Sequence, residues 1–263
     1  MRALHIGATG MLAQQTNVEV ISNNIANMNT TAYSRRRAEF HDLLYQDMRR
    51  VGANSSNTGT IVPSGIQLGL GVKTASVYRV SEHGSVLNTN NTLDLAIQGN
   101  GYFQIELPND RGTGYTRDGA FQVSPEGVLV TSDGYTVQPG ITIPENAIGI
   151  TINPSGEVWV KEDGQTELTN VGQLEIANFM NESGLEAIGD NLFIETTASG
   201  NPTTDMPGAL GFGTILQGFL ENSNVNVVSE ITELVSAQRA YEMNSKVITT
   251  ADQMLATINQ LKS

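Results

Sequence analysis

Apolar and small side chains recur at helical spacing along the end of the chain, from Asn224 to Ser263. The steps between them are mostly three or four residues, which is typical of a narrow coiled-coil seam. Neither Pro nor Gly interrupts this stretch after Gly218, and Asn224 and Asn226 are candidate N-terminal caps. The pattern predicts a helix about 55 Å long. Its seam consists of Val227, Ile231, Leu234, Tyr241, Ile248, Ala251, Leu255 and Ile258.

A second seam lies at the start of the chain, where the helix is expected to end near Asn27–Asn29. This seam contains small and polar members, so it is weak as a self-sufficient core. It is compatible with a terminal helix docked on its own domain, or with chain ends that pair with each other and then pack against other copies. We favour the second interpretation because the middle of the chain contains no helical pattern on which the ends could dock. The members are Leu4, Ala8, Met11, Gln15, Val18, Ser22 and Ile25.

The middle of the chain, from Gly71 to about Glu221, has the pattern of β-structure. Short runs rich in Val, Ile, Thr and aromatic residues alternate with Gly-containing turns, and Gly101–Ile105 and Gly127–Val130 are strand candidates. No helical segments alternate with these runs, so a compact all-β domain is favoured over a parallel sheet. The turn candidates are Asp118-Gly119, Glu126-Gly127, Asp133-Gly134, Ser155-Gly156 and Asp163-Gly164.

These patterns together predict an α+β fold in which long N- and C-terminal helices pair as a coiled-coil-like hairpin beside a central all-β domain. The predicted organisation is a terminal helical domain (1–30 and 225–263), an extended linker (31–70) and a β-rich domain (71–224).

Charge separates the chain into two parts. The formal net charge is −13, which argues against a nucleic-acid partner. Residues 1–50 nevertheless hold six Lys/Arg against four Asp/Glu, and the remainder holds eight against 23. The basic run Arg35-Arg36-Arg37 is commonly just a solvated face, but in an assembly it would be placed to meet the acidic body of a neighbour. No apolar run approaches the roughly 20 residues of a membrane span, so no membrane insertion is expected.

The sequence offers no catalytic constellation. The chain has no cysteine, and its histidines, His5, His41 and His83, are scattered without metal-ligand spacing. The Gly-rich pieces lack the spacing of dinucleotide or phosphate loops. We therefore expect neither enzymatic activity nor a cofactor.

Several motifs resemble the bacterial flagellar rod and hook protein family, and they occur in one order from end to end of the chain. Where that family usually has Gly, this chain has Ala32, and a left-handed turn there would be strained. The motifs are Ser22–Asn27 followed by Asn29–Tyr33, then Leu93–Phe103, Tyr115–Phe121, Asn181–Phe193, Glu221–Val227 and Gln238–Asn244.

One segment resembles only part of that family. The run from Tyr45 to Gly69 is similar to a segment that sets distal-rod members apart from hook and proximal-rod members, and it is associated there with a straight, stiff rod. By composition alone, its small polar centre would equally suit a disordered linker. The residues that mark it are Tyr45, Gly52, Ser55, Ser56, Pro63 and Gly65.

The resemblance implies a structural subunit that polymerises into the straight, hollow distal rod and transmits torque across the periplasm and outer membrane. It implies export through the flagellar type III apparatus without a cleaved signal peptide. The implied partners are copies of the chain, proximal rod proteins, hook subunits and the L- and P-ring proteins. The alternatives are a proximal rod or short hook-type axial protein or, in a different class, a monomeric β-rich periplasmic binding module or hydrolase.

Overall fold

The computed structural model describes residues 2–49, 64–108, 112–164 and 167–262. Helices α1 (Arg2–Ala26) and α2 (Val227–Lys262) lie at the two ends of the chain, and a short 3-10 helix spans Glu182–Gly184. The strands are β1 (Arg36–Asp42), β2 (Tyr45–Arg49), β3 (Ile66–Gly69), β4 (Val72–Arg79), β5 (Val86–Asn88), β6 (Leu95–Gln98), β7 (Tyr102–Glu106), β8 (Thr113–Thr116), β9 (Gln122–Val123), β10 (Leu129–Val130), β11 (Ala147–Ile152), β12 (Glu157–Glu162), β13 (Thr169–Gln173), β14 (Ile176–Asn178), β15 (Glu186–Gly189), β16 (Leu192–Ile194), β17 (Thr203–Asp205), β18 (Thr214–Gln217) and β19 (Phe219–Glu221).

The chain forms two compact units. Unit 1 consists of Met1–Ala26, Arg36–Arg79 and Asn226–Ser263, and unit 2 consists of Asn27–Arg35 and Val80–Val225. The predicted α+β class, with a helix at each end and a β-rich centre, is confirmed. The residues of the predicted linker 31–70 are divided between the units: 31–35 belong to unit 2, whereas β1, β2 and β3 belong to unit 1.

The helix ends follow from local polar chemistry. Helix α1 ends at Ala26, one residue before the predicted end near Asn27–Asn29. Helix α2 begins after Asn226, whose side-chain oxygen accepts hydrogen bonds from the backbone N–H groups of Val228 and Ser229. Asn224, the other candidate cap, has a different role in unit 2, where its side chain accepts from the backbone N–H of Arg35 and donates to the carbonyl oxygens of Val80 and Glu82.

Unit 1 combines the two helices with two antiparallel strand pairs. Strand β1 pairs with β4 along its whole length, and β2 pairs with β3. Helix α1 packs against α2 on one side and against β1 and β4 on another. Among the described residues, neither helix combines the length and the hydropathy that crossing a membrane requires.

Unit 2 is built from antiparallel sheets around an apolar core. The largest sheet has six strands in the order β15-β16-β8-β7-β14-β17, and β11, β12 and β13 form a second sheet. The predicted strands at 101–105 and 127–130 correspond to β7 and β10. The core consists of Leu95, Ile97, Phe103, Phe121, Leu129, Val137, Ile141, Ile143, Ile152, Val158, Val160, Leu174, Ile176 and Ile215.

Glycine serves the predicted turns of unit 2 in two ways. Gly127, Gly134, Gly156 and Gly164 have φ between +82° and +86°, a conformation that side chains disfavour. Gly119 is required for a different reason, because a Cβ there would lie 1.6 Å from the carbonyl oxygen of Leu95.

A buried ion pair ties several loops of unit 2 together. Arg117 donates from Nε to Oε2 of Glu221 at 2.8 Å, and both residues are almost fully buried. The guanidinium also donates to the carbonyl oxygens of Ile97, Gly99 and Gly101. Because every polar group of this pair has partners, the burial of its two charges is compensated.

Candidate functional site

The two helices of unit 1 approach each other closely where α1 carries glycine. A Cβ added to Gly7 would lie 2.9 Å from Cγ1 of Ile248, and one added to Gly10 would lie 2.8 Å from Nδ2 of Asn244. Glycine therefore lets the two backbones approach closely at these positions. As the residue number increases along α1, from Gly7 to Gly10, the number of the facing residue on α2 decreases, from Ile248 to Asn244. The two helices are therefore antiparallel.

A polar cluster lies at the other end of this face. The side-chain amide of Asn24 donates to Oε2 of Glu230 at 3.1 Å. The same amide donates to the carbonyl oxygen of Arg36 at 2.8 Å and accepts from the Arg36 N–H at 2.8 Å. Asn24 is 1% exposed and Glu230 is 2% exposed. One amide thus joins α1, α2 and β1.

The predicted seam residues of α1 are only partly buried within one copy of the chain. Leu4, Ala8, Met11, Val18 and Ile25 are half-buried, whereas Gln15 and Ser22 are exposed. The fully buried positions of α1 are Gly7, Ala13, Ile21 and Asn24.

The predicted seam of α2 shows a similar division. Ala251 is buried and Val227, Leu234, Ile248 and Leu255 are half-buried, whereas Ile231, Tyr241 and Ile258 are exposed. Sequence reasoning missed Glu230, Ala237 and Asn244, which occupy the buried or half-buried face at the same steps of three and four. Their helical spacing marks all three as part of the contact face. A selection of large apolar side chains omits them, because two of the three are polar and the third is alanine.

Exposed apolar side chains form two patches on α2. The early patch consists of Val228, Ile231 and Val235, and the late patch consists of Met243, Val247 and Met254. These six side chains are between 42% and 76% exposed. Neighbours at helical spacing of three, four and seven residues share a surface, so each patch is continuous enough to accept a partner.

A groove of about 340 Å³ also opens between the helices. It is lined by Gln15, Val18, Glu19, Gln238, Tyr241 and Glu242. Two of the predicted packing residues of α1, Gln15 and Val18, therefore share one surface depression with Tyr241 of α2.

The strand pair β2–β3 carries the described part of the predicted rod-specific segment. Tyr45 lies on β2 opposite Gly69 and is exposed, and Gly65 directly precedes β3. A hydrogen bond to the Asp42 carboxylate raises the pKa of Tyr45. Leu44, Met48, Ile66 and Leu68 are exposed on or beside this strand pair. The other marker residues, Gly52, Ser55, Ser56 and Pro63, lie outside the described residues.

The three arginines of the basic run have different surroundings. Arg35 belongs to unit 2, where its Nη2 lies 4.0 Å from Oε2 of Glu82. Arg36 and Arg37 belong to unit 1 and are exposed on β1. Sequence counts over the two units give ten Lys/Arg and eight Asp/Glu in unit 1, and four Lys/Arg and 19 Asp/Glu in unit 2. The net formal charges are therefore +2 and −15.

The histidines remain apart from one another. His5 and His41 are exposed, and Nδ1 of His83 lies 3.9 Å from Oε1 of Glu221. Within the described ranges, no three His, Asp or Glu side chains are grouped so that they would hold a metal ion.

Three family profiles match different parts of the chain. The profile described as "Flagella basal body rod protein" matches residues 4–33, which include most of α1. The profile "Flagellar hook protein FlgE/F/G D1 domain" matches residues 96–160 of unit 2. The profile "Flagellar basal body rod FlgEFG protein C-terminal" matches residues 216–261, which include nearly all of α2.

Full-length relatives agree with these profiles. The flagellar basal-body rod protein FlgG of Caulobacter vibrioides is 61% identical over 263 residues, covering 100% of both chains. FlgG of Agrobacterium fabrum is 53% identical over 99% of each chain. FlgG of Bacillus subtilis is 38% identical over 100% of this chain and 99% of its own. The chain therefore belongs to the FlgG family of flagellar basal-body rod proteins.

Proposed function

We propose that the chain is a subunit of the straight, hollow distal rod of the bacterial flagellum, and that its terminal helices pack against those of neighbouring copies. The observation that carries this proposal is the pair of exposed apolar patches on α2. Exposed apolar surface of this kind marks an interaction site, and the chain's relatives are rod proteins. The partner that best fits the patches is a second copy.

Two separate apolar surfaces favour an open filament over a closed dimer. The patches on α2 and the exposed side chains of β2–β3 lie on different elements of one chain. When one surface of a copy binds a different surface of the next, the contact is head-to-tail. Repetition of such a contact produces a helical filament unless the rotation closes into a ring.

The predicted packing residues fit this arrangement. Ile231, Tyr241 and Ile258 of α2 and Gln15 and Ser22 of α1 are exposed in the single chain, so they are available to neighbours. We propose that the half-buried members of both seams stabilise the α1–α2 pair as a coiled-coil-like hairpin, while the exposed members contact other copies. In this arrangement the hairpins form the inner wall of a tube.

The charge difference between the units supports a second contact. Arg36 and Arg37 are exposed on the weakly basic unit 1, and unit 2 carries a net formal charge of −15. Contact between these arginines and unit 2 of a neighbour would fix the orientation of the incoming subunit.

The remaining partners follow from the family. We propose that the rod joins proximal rod proteins at one end and hook subunits at the other, and that it turns inside the L- and P-rings. The subunit reaches the basal body, between the periplasm and the outer membrane, through the flagellar type III export apparatus. Deleting residues 45–69 is expected to yield curved, hook-like filaments if the chain is a distal-rod subunit, whereas a proximal-rod subunit would show no such change.

Electron microscopy of the purified protein, dilute and then concentrated, tests the proposal. We expect straight hollow filaments, with amide hydrogens of the outward faces of α1 and α2 protected further on assembly. Val247→Asp places a charge in the late patch and should abolish filaments, whereas Gln253→Asp places the same charge at an exposed polar position and should not. A persistent monomer at high concentration would contradict self-assembly and favour a monomeric binding module.

A further inference from the structure

The helix pair contains one feature that close packing alone does not require, namely a hydrogen-bonded Asn and Glu inside it. Asn24 and Glu230 are each at least 98% buried and are bonded to each other. Buried polar side chains in helix pairs are best attested as devices that select one register over others, because any other register leaves them without partners.

The rest of the contact face discriminates poorly between registers. Gly10 faces Asn244, and the residues seven positions to either side of Asn244 are the buried alanines Ala237 and Ala251. A shift of seven residues along α2 would therefore place Gly10 opposite a smaller side chain than its present partner. The same shift would place Gly7 opposite Leu255 instead of Ile248, and these two side chains have nearly the same volume, so neither glycine opposes the shift.

The hydrogen-bonded pair of Asn24 and Glu230, in contrast, distinguishes one register from another. The separation from Gly10 to Asn24 equals the separation from Glu230 to Asn244, so both contacts belong to one antiparallel register. In the register that brings Gly10 opposite Ala251, Asn24 would face Ala237. In that register Glu230 would lie beyond the end of α1, and the Asn24 N–H that now binds its carboxylate would be buried against an alanine without this acceptor, which is costly.

We propose that Asn24 and Glu230 set the register of the α1–α2 pair. Asn24 performs this role for two elements at once, because its amide binds both the N–H and the C=O of Arg36 and thereby fixes β1 against the helices. Glu230 lies in the first turn of α2, where the helix dipole favours a negative charge. The register decides which residues of α2 remain outward, and this consequence for assembly rests on the proposed function.

Engineered cysteines would report the register directly, because the chain has no cysteine of its own. Gly10→Cys combined with Asn244→Cys reports the present register. Gly10→Cys combined with Ala251→Cys or with Ala237→Cys reports the two registers shifted by seven residues. The ratio of native to shifted disulfide formation is measured in dilute protein, where no filaments form, so its outcome is independent of self-assembly.

The decisive variant replaces both polar residues with leucine, Asn24→Leu with Glu230→Leu. We expect the ratio of native to shifted cross-linking to fall at least tenfold while helical circular dichroism is retained. Glu230→Gln keeps an acceptor for the Asn24 amide and should retain the ratio within about twofold.

A matched control separates register from general stability. Ile248→Ala removes apolar packing from the same face but leaves Asn24 and Glu230 in place, so it should lower the melting temperature without changing the ratio. The proposal is wrong if the double-leucine variant keeps the native ratio, or if Ile248→Ala lowers it as much. Loss of the fold in the double-leucine variant, seen as equal slow oxidation of all three cysteine pairs, would also overturn it.

Discussion

Ala32 holds a backbone conformation that usually belongs to glycine. Its φ is +56° and its side chain is buried, and its N–H donates to the carbonyl oxygen of Glu221 at 2.9 Å. The strain foreseen from the Gly-to-Ala difference at this position is therefore present. The turn is retained because hydrogen bonding and packing compensate for a cost of about 1–2 kcal/mol.

Substitutions at Ala32 test this account. Ala32→Gly removes the strain but loses a buried methyl group and gains unfolded-state entropy, so its stability should lie within about 1 kcal/mol of the parent. Ala32→Val should be about 1–3 kcal/mol less stable, because a β-branched residue fits this conformation poorly. Urea unfolding of the three proteins provides the comparison. Equal midpoints for the Val and Gly variants would contradict the prediction.

Asp118 gives the stability of unit 2 a pH dependence of known sign. Burial raises the pKa of its carboxyl group, and a hydrogen bond from the Ala120 N–H opposes the shift. Because the folded pKa exceeds the unfolded one, this group favours folding at pH values below the unfolded pKa. The contribution is lost as the pH rises through the folded pKa.

Asp118→Asn removes the titration while keeping an oxygen acceptor for Ala120. The stability of the variant relative to the parent should therefore increase between about pH 4 and pH 7. Urea midpoints measured for both proteins across this range provide the test. A difference between the two midpoints that does not change with pH would exclude Asp118 as the source.

At the level of elements, the helices were predictable and their contact face was only partly so. The Asn-rich run after Ala26 and the absence of Pro and Gly after Gly218 are local signals, and they place both helices correctly. The buried positions of α1 include Gly7 and Asn24, which a search for apolar residues passes over. Such positions depend on what the partner helix presents, and this information is not local.

The strands of unit 1 also show the difference between local signals and contacts with distant parts of the chain. The extended linker was predicted over residues 31–70, and strands β1, β2 and β3 lie within this range. Their partners, however, are set by pairings such as Arg36 with Arg79 and Tyr45 with Gly69. Pairing over such separations follows from the packing of the whole unit, so a local sequence pattern does not predict it.

Close approach at Gly7 makes a prediction opposite to that of helix propensity. Leucine is a better helix former than glycine by nearly 1 kcal/mol, so propensity alone would have Gly7→Leu stabilise α1. Because a Cβ at this position already lies 2.9 Å from Ile248, we expect Gly7→Leu to destabilise unit 1 by about 1–3 kcal/mol.

Hydrogen exchange of α1 amides provides the measurement. His5→Leu, at an exposed position of the same helix, is the control and should change the free energy of local opening by less than about 0.5 kcal/mol. Greater protection of α1 in Gly7→Leu would show that the helices have room to separate, and would refute the close-packed contact.

At the scale of the whole molecule, the chain separates its charges between two units. The net formal charges are +2 for unit 1 and −15 for unit 2. In a filament, neighbouring copies of unit 2 would repel one another, and this repulsion is screened by salt. Contacts between Arg36 or Arg37 and a neighbouring unit 2 would act in the opposite sense.

The arginine contacts can be separated from the general repulsion by a matched pair of variants. Arg36→Gln with Arg37→Gln should raise the concentration required for filament formation several-fold at low ionic strength, because it removes attractive charge. The difference should shrink toward 0.5 M salt, where the screening length is only a few ångströms. Arg35→Gln is the control, because Arg35 already lies near Glu82 within its own unit, and it should have a much smaller effect.

Light scattering across a salt series measures both variants against the parent. Equal effects of the double variant and of Arg35→Gln would mean that total charge matters and the position of the arginines does not. A double variant that assembles like the parent at every salt concentration would remove the charge contact from the proposed assembly. In that case, packing of the apolar patches on α2 would have to orient the subunits without help from charge.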